Sequence, residues 1–242
     1  MISDGMAEVL RLLQLHDGFD NATHVAARAA EALGADGLAV SLATAGERAE
    51  LMWCSDDSAA RFEELQFTLG EGPGPEAVRS GETVLVPDLS RVRHQRWPAL
   101  GMEAAELEAR AVFCFPMGIG AIRVGLLTAV RRIPGPMTDE QLGDAHLLAH
   151  ALTGRALGDS PRLDDDLSAG SARTLLHAIV HQATGMVSVQ LAVSLPQALL
   201  RLRAHAYSSG RSLTDISRDV VARRLRLDNN GNGTPVPVAD KD

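Results

Sequence analysis

Between Ala111 and Val130 the chain reads AVFCFPMGIGAIRVGLLTAV, and two structures compete for it. The run has a single charge, Arg123. A membrane-spanning helix needs about 20 apolar residues, so length alone permits one. Composition argues otherwise. Pro116 and the glycines Gly118, Gly120 and Gly125 interrupt any helix, and the run divides into two β-rich halves around Gly118-Ile119-Gly120. The pattern predicts a buried β-hairpin and no membrane span.

Working outward from this hairpin, helical periodicity covers Met6 to Leu15 and Ala22 to Leu33, and Gly34 stops the second helix. Gly37 to Thr44 and Glu50 to Cys54 read as strands joined near Gly46. Asp56 to Leu69 has helical spacing, with Phe62, Leu65 and Leu69 on one face. Gly70-Glu71-Gly72-Pro73-Gly74-Pro75 is a turn-rich connection ahead of a short helix, Glu76 to Ser80. Thr83 to Val86 is a short strand, Ser90 to Pro98 a loop and Ala104 to Ala109 a short helix. Thr138, followed three residues later by Gln141 in capping-box order, opens a long helix reaching Leu157. Strands enclosed by helices at both ends predict an α+β domain with a central antiparallel sheet. Helices from opposite ends of this domain are expected to share one face of it.

A polar stretch with Pro161 and the acidic run Asp164-Asp165-Asp166 divides the chain. The expected organisation is a first domain over 1–157, a linker over 158–170, a helical domain over 171–227 and a disordered tail over 228–242. Charge follows the same division. Residues 1–170 hold 14 Arg against 26 acids, whereas 171–227 hold 8 Arg against 2 acids. A basic segment on an acidic body is the electrostatic mark of a nucleic-acid binder. The overall net charge of −8 conceals it.

In the helical part, Ser171 to Leu191 forms the first helix. Ser194 and Gln197 make a capping box for the second, with Pro196 in its first turn and Gly210 at its end. Leu199, Leu202 and Ala206 form its core stripe. Ser212 and Asp215 open the third, whose buried stripe is Leu213, Ile216 and Val220. On the second helix Arg201 points away from the stripe and Arg203 lies at its edge, while Arg211 sits in the following turn. Guanidinium groups so placed can grip phosphates and stack on unpaired bases. Gly185, in mid-helix, costs roughly 1 kcal/mol relative to Ala, which suits close approach of another helix or of a ligand.

Several motifs of this part, in order, resemble the ANTAR RNA-binding domain: His181-Gln182-Ala183-Thr184-Gly185-Met186, then Ala198-Leu199 to Arg203, then Arg211-Ser212-Leu213-Thr214-Asp215-Ile216. The resemblance covers about Ser171 to Leu227 and implies a three-helix bundle that binds paired RNA hairpins in nascent transcripts and so prevents termination. By position it marks Gln182, Gly185, Arg203 and Arg211, and with Arg201 of the second helix and Thr184 these are the candidate RNA-binding residues. Thr184 stands where the family often has Lys, so a hydroxyl replaces a charge.

The first domain resembles a GAF domain. The residues that carry this are Glu64-Leu65-Gln66 with Leu69 to Pro73, Val86-Pro87-Asp88-Leu89, Arg96-Trp97-Pro98, and Phe115-Pro116 with Ile122 to Leu127. The resemblance implies a sensory module that receives a small-molecule or protein signal. The cyclic-nucleotide signature of that family needs a Lys, and the only Lys here is Lys241. Gly74 stands where related sequences often have Cys, and no bilin-attaching Cys-His pair is present.

Other chemistries find little support. Cys54 and Cys114 are too few for a disulfide framework and read as two half-buried thiols of a reducing cytosol. His146 and His150, like His177 and His181, lie four apart on a helix, but no third ligand converges in sequence. Phosphate-binding loop, nucleophile-elbow and kinase motifs are absent. We therefore expect a cytoplasmic, homodimeric, ligand- or partner-gated RNA-binding antiterminator, not an enzyme, without cofactor or metal. The rival reading is a DNA-binding regulator, because short helices with a tight turn imitate a helix-turn-helix.

Overall fold

The computed structural model describes residues 2–15, 22–44, 48–93, 95–103, 107–158, 172–228 and 233–235. The chain falls into two units, Met1–Ala169 and Gly170–Asp242. In chain order the first contains α1 (Asp4–Leu15), α2 (Ala22–Ala32), β1 (Gly37–Thr44), β2 (Arg48–Cys54), α3 (Asp57–Leu69), α4 (Pro73–Ser80), β3 (Val84–Val86), a 3₁₀ turn (Leu89–Arg91), α5 (Pro98–Glu103), β4 (Ala111–Ile119), β5 (Ile122–Arg131) and α6 (Asp139–Gly158).

The Ala111–Val130 run is the hairpin β4–β5, central to an antiparallel sheet of order β2-β1-β5-β4-β3. Its tip is Gly120-Ala121, two residues beyond Gly118. Gly118 serves a register shift inside the ladder instead, where an added β-carbon would lie 2.3 Å from the Ile122 carbonyl oxygen. The run is apolar throughout because both faces of the sheet are covered. Leu38, Val40, Phe113, Phe115, Met117, Leu127 and Ala129 point to one side, where α1, α2 and α6 pack with Met6, Val9, Ala26, Ala29, Ala145, Leu148 and Leu152. Helices from the two ends of the unit thus share a face. Ala39, Val112, Cys114, Leu126 and Val130 point to the other side, toward Ala59, Phe62, Ala77, Trp97 and Leu100. Among the described residues no single helix is long and apolar enough to cross a membrane.

Helix ends follow their caps. Asp56 accepts a hydrogen bond from the Ala59 N–H, and Gly70 closes α3 in the left-handed conformation. Thr138 and Gln141 exchange side-chain-to-backbone hydrogen bonds of 3.0 and 3.2 Å at the start of α6. Three expectations need correction. α4 begins at Pro73, not Glu76, because prolines in a first helical turn lose no hydrogen bond. Of the short helix expected at Ala104–Ala109, residues 104–106 lie outside the described residues and 107–109 are not helical, while an unexpected short helix at Pro98–Glu103 is capped by the Glu71 carboxylate. The buried face of α3 is Ala59, Phe62, Glu63 and Gln66, while Leu65 and Leu69 are half-buried.

The second unit contains α7 (Ala172–Leu191), α8 (Leu195–Ser209), α9 (Leu213–Val221), β6 (Leu225–Leu227) and β7 (Gly233–Pro235). Val180, Ala183, Val187, Ala198, Leu199, Leu202, Ala206, Leu213, Ile216 and Val220 are buried. Ser194 and Gln197 form the expected capping box. The helices stop at Val221, so the chain is not helical to 227, and the tail read as disordered contains a strand: β6 pairs antiparallel with β7. Buried Leu227 and a hydrogen bond from Gln190 Nε2 to the Leu227 carbonyl oxygen hold β6. Most of the linker, and the tail at 229–232 and 236–242, lie outside the described residues.

Candidate functional site

On the α3 side of the sheet, four elements direct polar side chains into one buried place. Ser41 of β1 donates to Glu63 Oε2 at 3.0 Å, and Gln66 of α3 donates to Glu63 Oε1 at 3.1 Å. Thr128 of β5 also hydrogen-bonds Glu63 and lies 3.8 Å from the Cys114 sulfur. Gln66 Oε1 accepts the Gly74 N–H at 2.7 Å, which ties α4 to α3. Burial raises the Glu63 pKa, outweighing the hydrogen bonds that favour its charged form. A β-carbon on Gly72 would meet Gln66 Oε1 at 2.5 Å, so the turn passes directly over this cluster. On Gly74 it would lie 2.9 Å from Leu126 and 3.0 Å from Gln66 Nε2, so a larger residue there must displace that packing.

A second constellation fixes the loop after β3. Arg96 makes a two-point contact with Glu76, at 3.1 and 2.6 Å. Trp97 Nε1 donates to the same carboxylate at 3.0 Å, and the Arg96 guanidinium stacks 4.4 Å from the Trp97 ring. These contacts hold the Glu76 carboxyl below its ordinary pKa, the Arg96 hydrogen bond first. Glu71 receives the Ala99 and Leu100 N–H groups. A cavity of about 920 Å³ opens beside this loop, lined by Leu85, Asp88, Arg91, Arg93 and Arg96 and by the Pro134-Gly135-Pro136 turn. Of its guanidinium groups Arg96 is taken by Glu76 and Arg91 pairs with Asp88 at 3.1 Å, so the apolar walls suit an apolar ligand body, with Arg93, among the described residues, as the cation left to meet a polar end.

Catalytic alternatives gain nothing from the geometry. Cys114 is fully buried, not half-buried, and burial pushes its thiol pKa well up, away from the reactive thiolate. Cys54 is half-buried, and both thiols are free. His146 bonds Thr83 Oγ1 at 3.0 Å and the Leu142 carbonyl oxygen at 2.7 Å, so both ring nitrogens have partners. Among the described residues no three His, Cys, Asp or Glu side chains gather as metal ligands. The His177 side chain lies outside the described residues.

The GAF domain model matches residues 20–154, from the start of α2 to near the end of α6. The chain belongs to the GAF family. No curated protein matches it in sequence. The fold is similar to the GAF domain of an Acinetobacter phosphoenolpyruvate-protein phosphotransferase, at 15% identity and a TM-score of 0.52, covering 66% of this chain and 96% of that one. It is similar also to the GAF domain of the Coxiella burnetii phosphoenolpyruvate-protein phosphotransferase, at 16% identity and a TM-score of 0.50, covering 65% and 96%. The GAF match supports a signal-sensing regulatory module. The motifs Leu69 to Pro73 and Arg96-Trp97-Pro98 meet in this GAF domain through Glu71 and Glu76, which explains their shared presence.

The GAF match ends ahead of the C-terminal unit, where the candidate RNA-binding residues separate. Gln182 is exposed, with half-buried Gly185 and Met186 and exposed Val189 following along the same face of α7. Among the described residues an added β-carbon on Gly185 meets nothing within 4 Å, so no described helix packs against this glycine. Thr184 is fully buried, and its hydroxyl donates to the Val180 carbonyl oxygen at 2.7 Å; it is not at the surface to meet phosphate. Arg201 and Arg203 are half-buried on α8, and Arg201 Nη1 is buried without a hydrogen-bond partner among the described residues. Arg211 is held by Asp219 at 2.6 Å, so its guanidinium is not the unengaged group that its turn position suggested. Sequence reasoning overlooked Leu200 and Tyr207, which are 65% and 58% exposed and follow the Arg203 face at helical spacing. An exposed tyrosine and leucine flanking an arginine carried the missed signal.

Proposed function

We propose that this chain is a signal-responsive regulator whose GAF domain receives a signal and whose C-terminal unit binds RNA hairpins in nascent transcripts, preventing termination. The observation that carries the reading is the outward face of α8. There exposed Leu200 and Tyr207 flank half-buried Arg203 at helical spacing, on a unit holding eight Arg and two acids over 171–227. Guanidinium groups suit RNA phosphates, and an exposed aromatic ring suits a splayed base. The ordered ANTAR-like motifs on α7, α8 and α9 support the same function. Gln182 and the open space beside Gly185 supply a further face for RNA.

The cavity beside the loop after β3, with its apolar walls, supports a small molecule as the signal. The signal acts by shifting populations of the intact chain, which requires different affinities for its RNA-competent and incompetent states. The protein acts in the cytoplasm, as a homodimer that offers two binding units to paired hairpins. Leu147 and Leu157 of α6, 44% and 47% exposed, supply apolar surface for that contact. No step of this function requires bond chemistry, a cofactor or a metal. Transcription in vitro through an intrinsic terminator preceded by paired hairpins tests it. Readthrough that rises with added protein, and falls with Arg203→Ala, is expected. Unchanged readthrough with tight duplex-DNA binding identifies a DNA-binding regulator instead.

A further inference from the structure

The basic surface of the C-terminal unit continues past its helices. Five arginines lie between 211 and 226, with only Asp215 and Asp219 among them. Asp215 pairs with Arg218 at 3.0 Å. Asp219 pairs with both Arg211 and Arg224, at 2.6 and 2.8 Å. Both acids of this stretch are then engaged, and Asp228, two residues past Arg226, has a partner as well. Arg223 and Arg226 are exposed, and their side chains make no hydrogen bond or ion pair among the described residues.

The backbone sets where these two arginines leave the chain. Arg223 has φ 58°, the left-handed conformation that a β-carbon disfavours and that helix ends usually give to glycine. α3, α4 and α8 all end on such a glycine, at Gly70, Gly81 and Gly210. The Arg223 N–H bonds the Val220 carbonyl oxygen at 3.0 Å, and the Arg224 N–H bonds that of Asp219 at 2.7 Å. In β6, neighbouring residues alternate sides, so buried Leu227 directs Arg226 outward. Strain alone signifies nothing, since Ala192 at the end of α7 has φ 53° and no charge. What distinguishes this turn is that it holds uncompensated guanidinium groups in place.

We propose that Arg223 and Arg226 form a phosphate-binding element that extends the RNA surface beyond the three helices. Arg211 and Arg224, half-neutralised by Asp219, add positive potential around it. The element reads no sequence; backbone contacts of this kind fix register and add salt-dependent affinity. The inference rests on the reading that this unit binds RNA.

The test is titration of the full chain with a stem-loop RNA of mixed sequence at several salt concentrations. Arg223→Gly or Arg226→Ala alone is expected to weaken binding about tenfold at low salt, and to lower the log–log salt slope by about one. Together they weaken it on the order of a hundredfold, assuming independent contacts. Arg223→Lys keeps the charge and retains the slope. Ala192→Gly relieves the same backbone strain without touching charge and leaves affinity unchanged. The Arg223→Gly protein should melt no lower than its parent. An intact chain that binds RNA, with a double variant of equal affinity and slope, overturns this element and leaves the RNA reading standing. Loss of affinity in Ala192→Gly or Arg223→Lys equal to that in Arg223→Gly assigns the effect to turn geometry and also overturns it. An intact chain that ignores stem-loops, or prefers duplex DNA, overturns both.

Discussion

Arg96 and Arg223 are the same residue type in opposite electrical settings. Arg96 lies in the acid-rich GAF domain, where Glu76 takes it in a two-point contact and Trp97 stacks beneath it. Arg223 lies where arginines outnumber acids and where Asp219, four residues before it, is already paired with Arg211 and Arg224. The first is a structural part that fixes a loop. The second remains available to a partner. Local acid supply, more than exposure, decides which role an arginine takes. The polar groups of the GAF interior make the same point, because Ser41, Gln66 and Thr128 each hydrogen-bond Glu63.

This division can be broken from either side. The largest effect is expected from Glu63→Ala, which strands the donors of Ser41, Gln66 and Thr128. It should cost about 3 kcal/mol of GAF stability in urea unfolding, at about 1 kcal/mol or more per abandoned partner. Glu76→Ala, by freeing Arg96 and Trp97 Nε1, should cost about 2 kcal/mol. Both should leave stem-loop affinity of the still-folded chain unchanged; a loss matching that of Arg203→Ala would erase the distinction between the regions. Asp219→Ala should cost about 1 kcal/mol, since its partners are largely exposed, and should raise RNA affinity severalfold by releasing Arg211 and Arg224. Weaker binding in that variant would mean that the ion pairs shape the RNA surface instead of masking it.

The smallest effects are in pH dependence, and they have opposite signs. Glu63 has a raised pKa when folded. Its contribution is fully present below the ordinary glutamate value and is lost as pH climbs through the raised one. Asp219 is lowered by hydrogen bonds from Arg211 and Arg224. Its contribution is present above the ordinary aspartate value and is lost as pH falls through the lowered one. Glu63→Gln should therefore flatten the decline of stability with rising pH, and Asp219→Asn should flatten the decline with falling pH. Denaturant midpoints measured across a pH series check both.

Much of this was legible in the sequence, because caps and periodicity are local signals. Thr138, Ser194 and Gly210 placed their helix ends, and the interrupted apolar run announced its hairpin. Less local features were hidden. Glu63 looks like one more surface acid of α3 until β1 and β5 bring Ser41 and Thr128 against it. The pairing of Asp219 with Arg211 and Arg224 depends on two turns that bring distant positions together. The burial of Thr184 was missed because a residue at a family contact position was read by chemistry alone, without its place on the α7 wheel. The β6–β7 ladder lay in a segment whose Asn, Gly and Pro content resembles a disordered tail.

The most direct trial of the account compares the intact protein's affinity for a paired RNA stem-loop and for duplex DNA of equal length, at matched salt. The account predicts tighter binding to RNA, falling steeply as salt rises and reduced by Arg203→Ala. Equal or tighter binding to DNA, or no salt-dependent affinity for either, would contradict it.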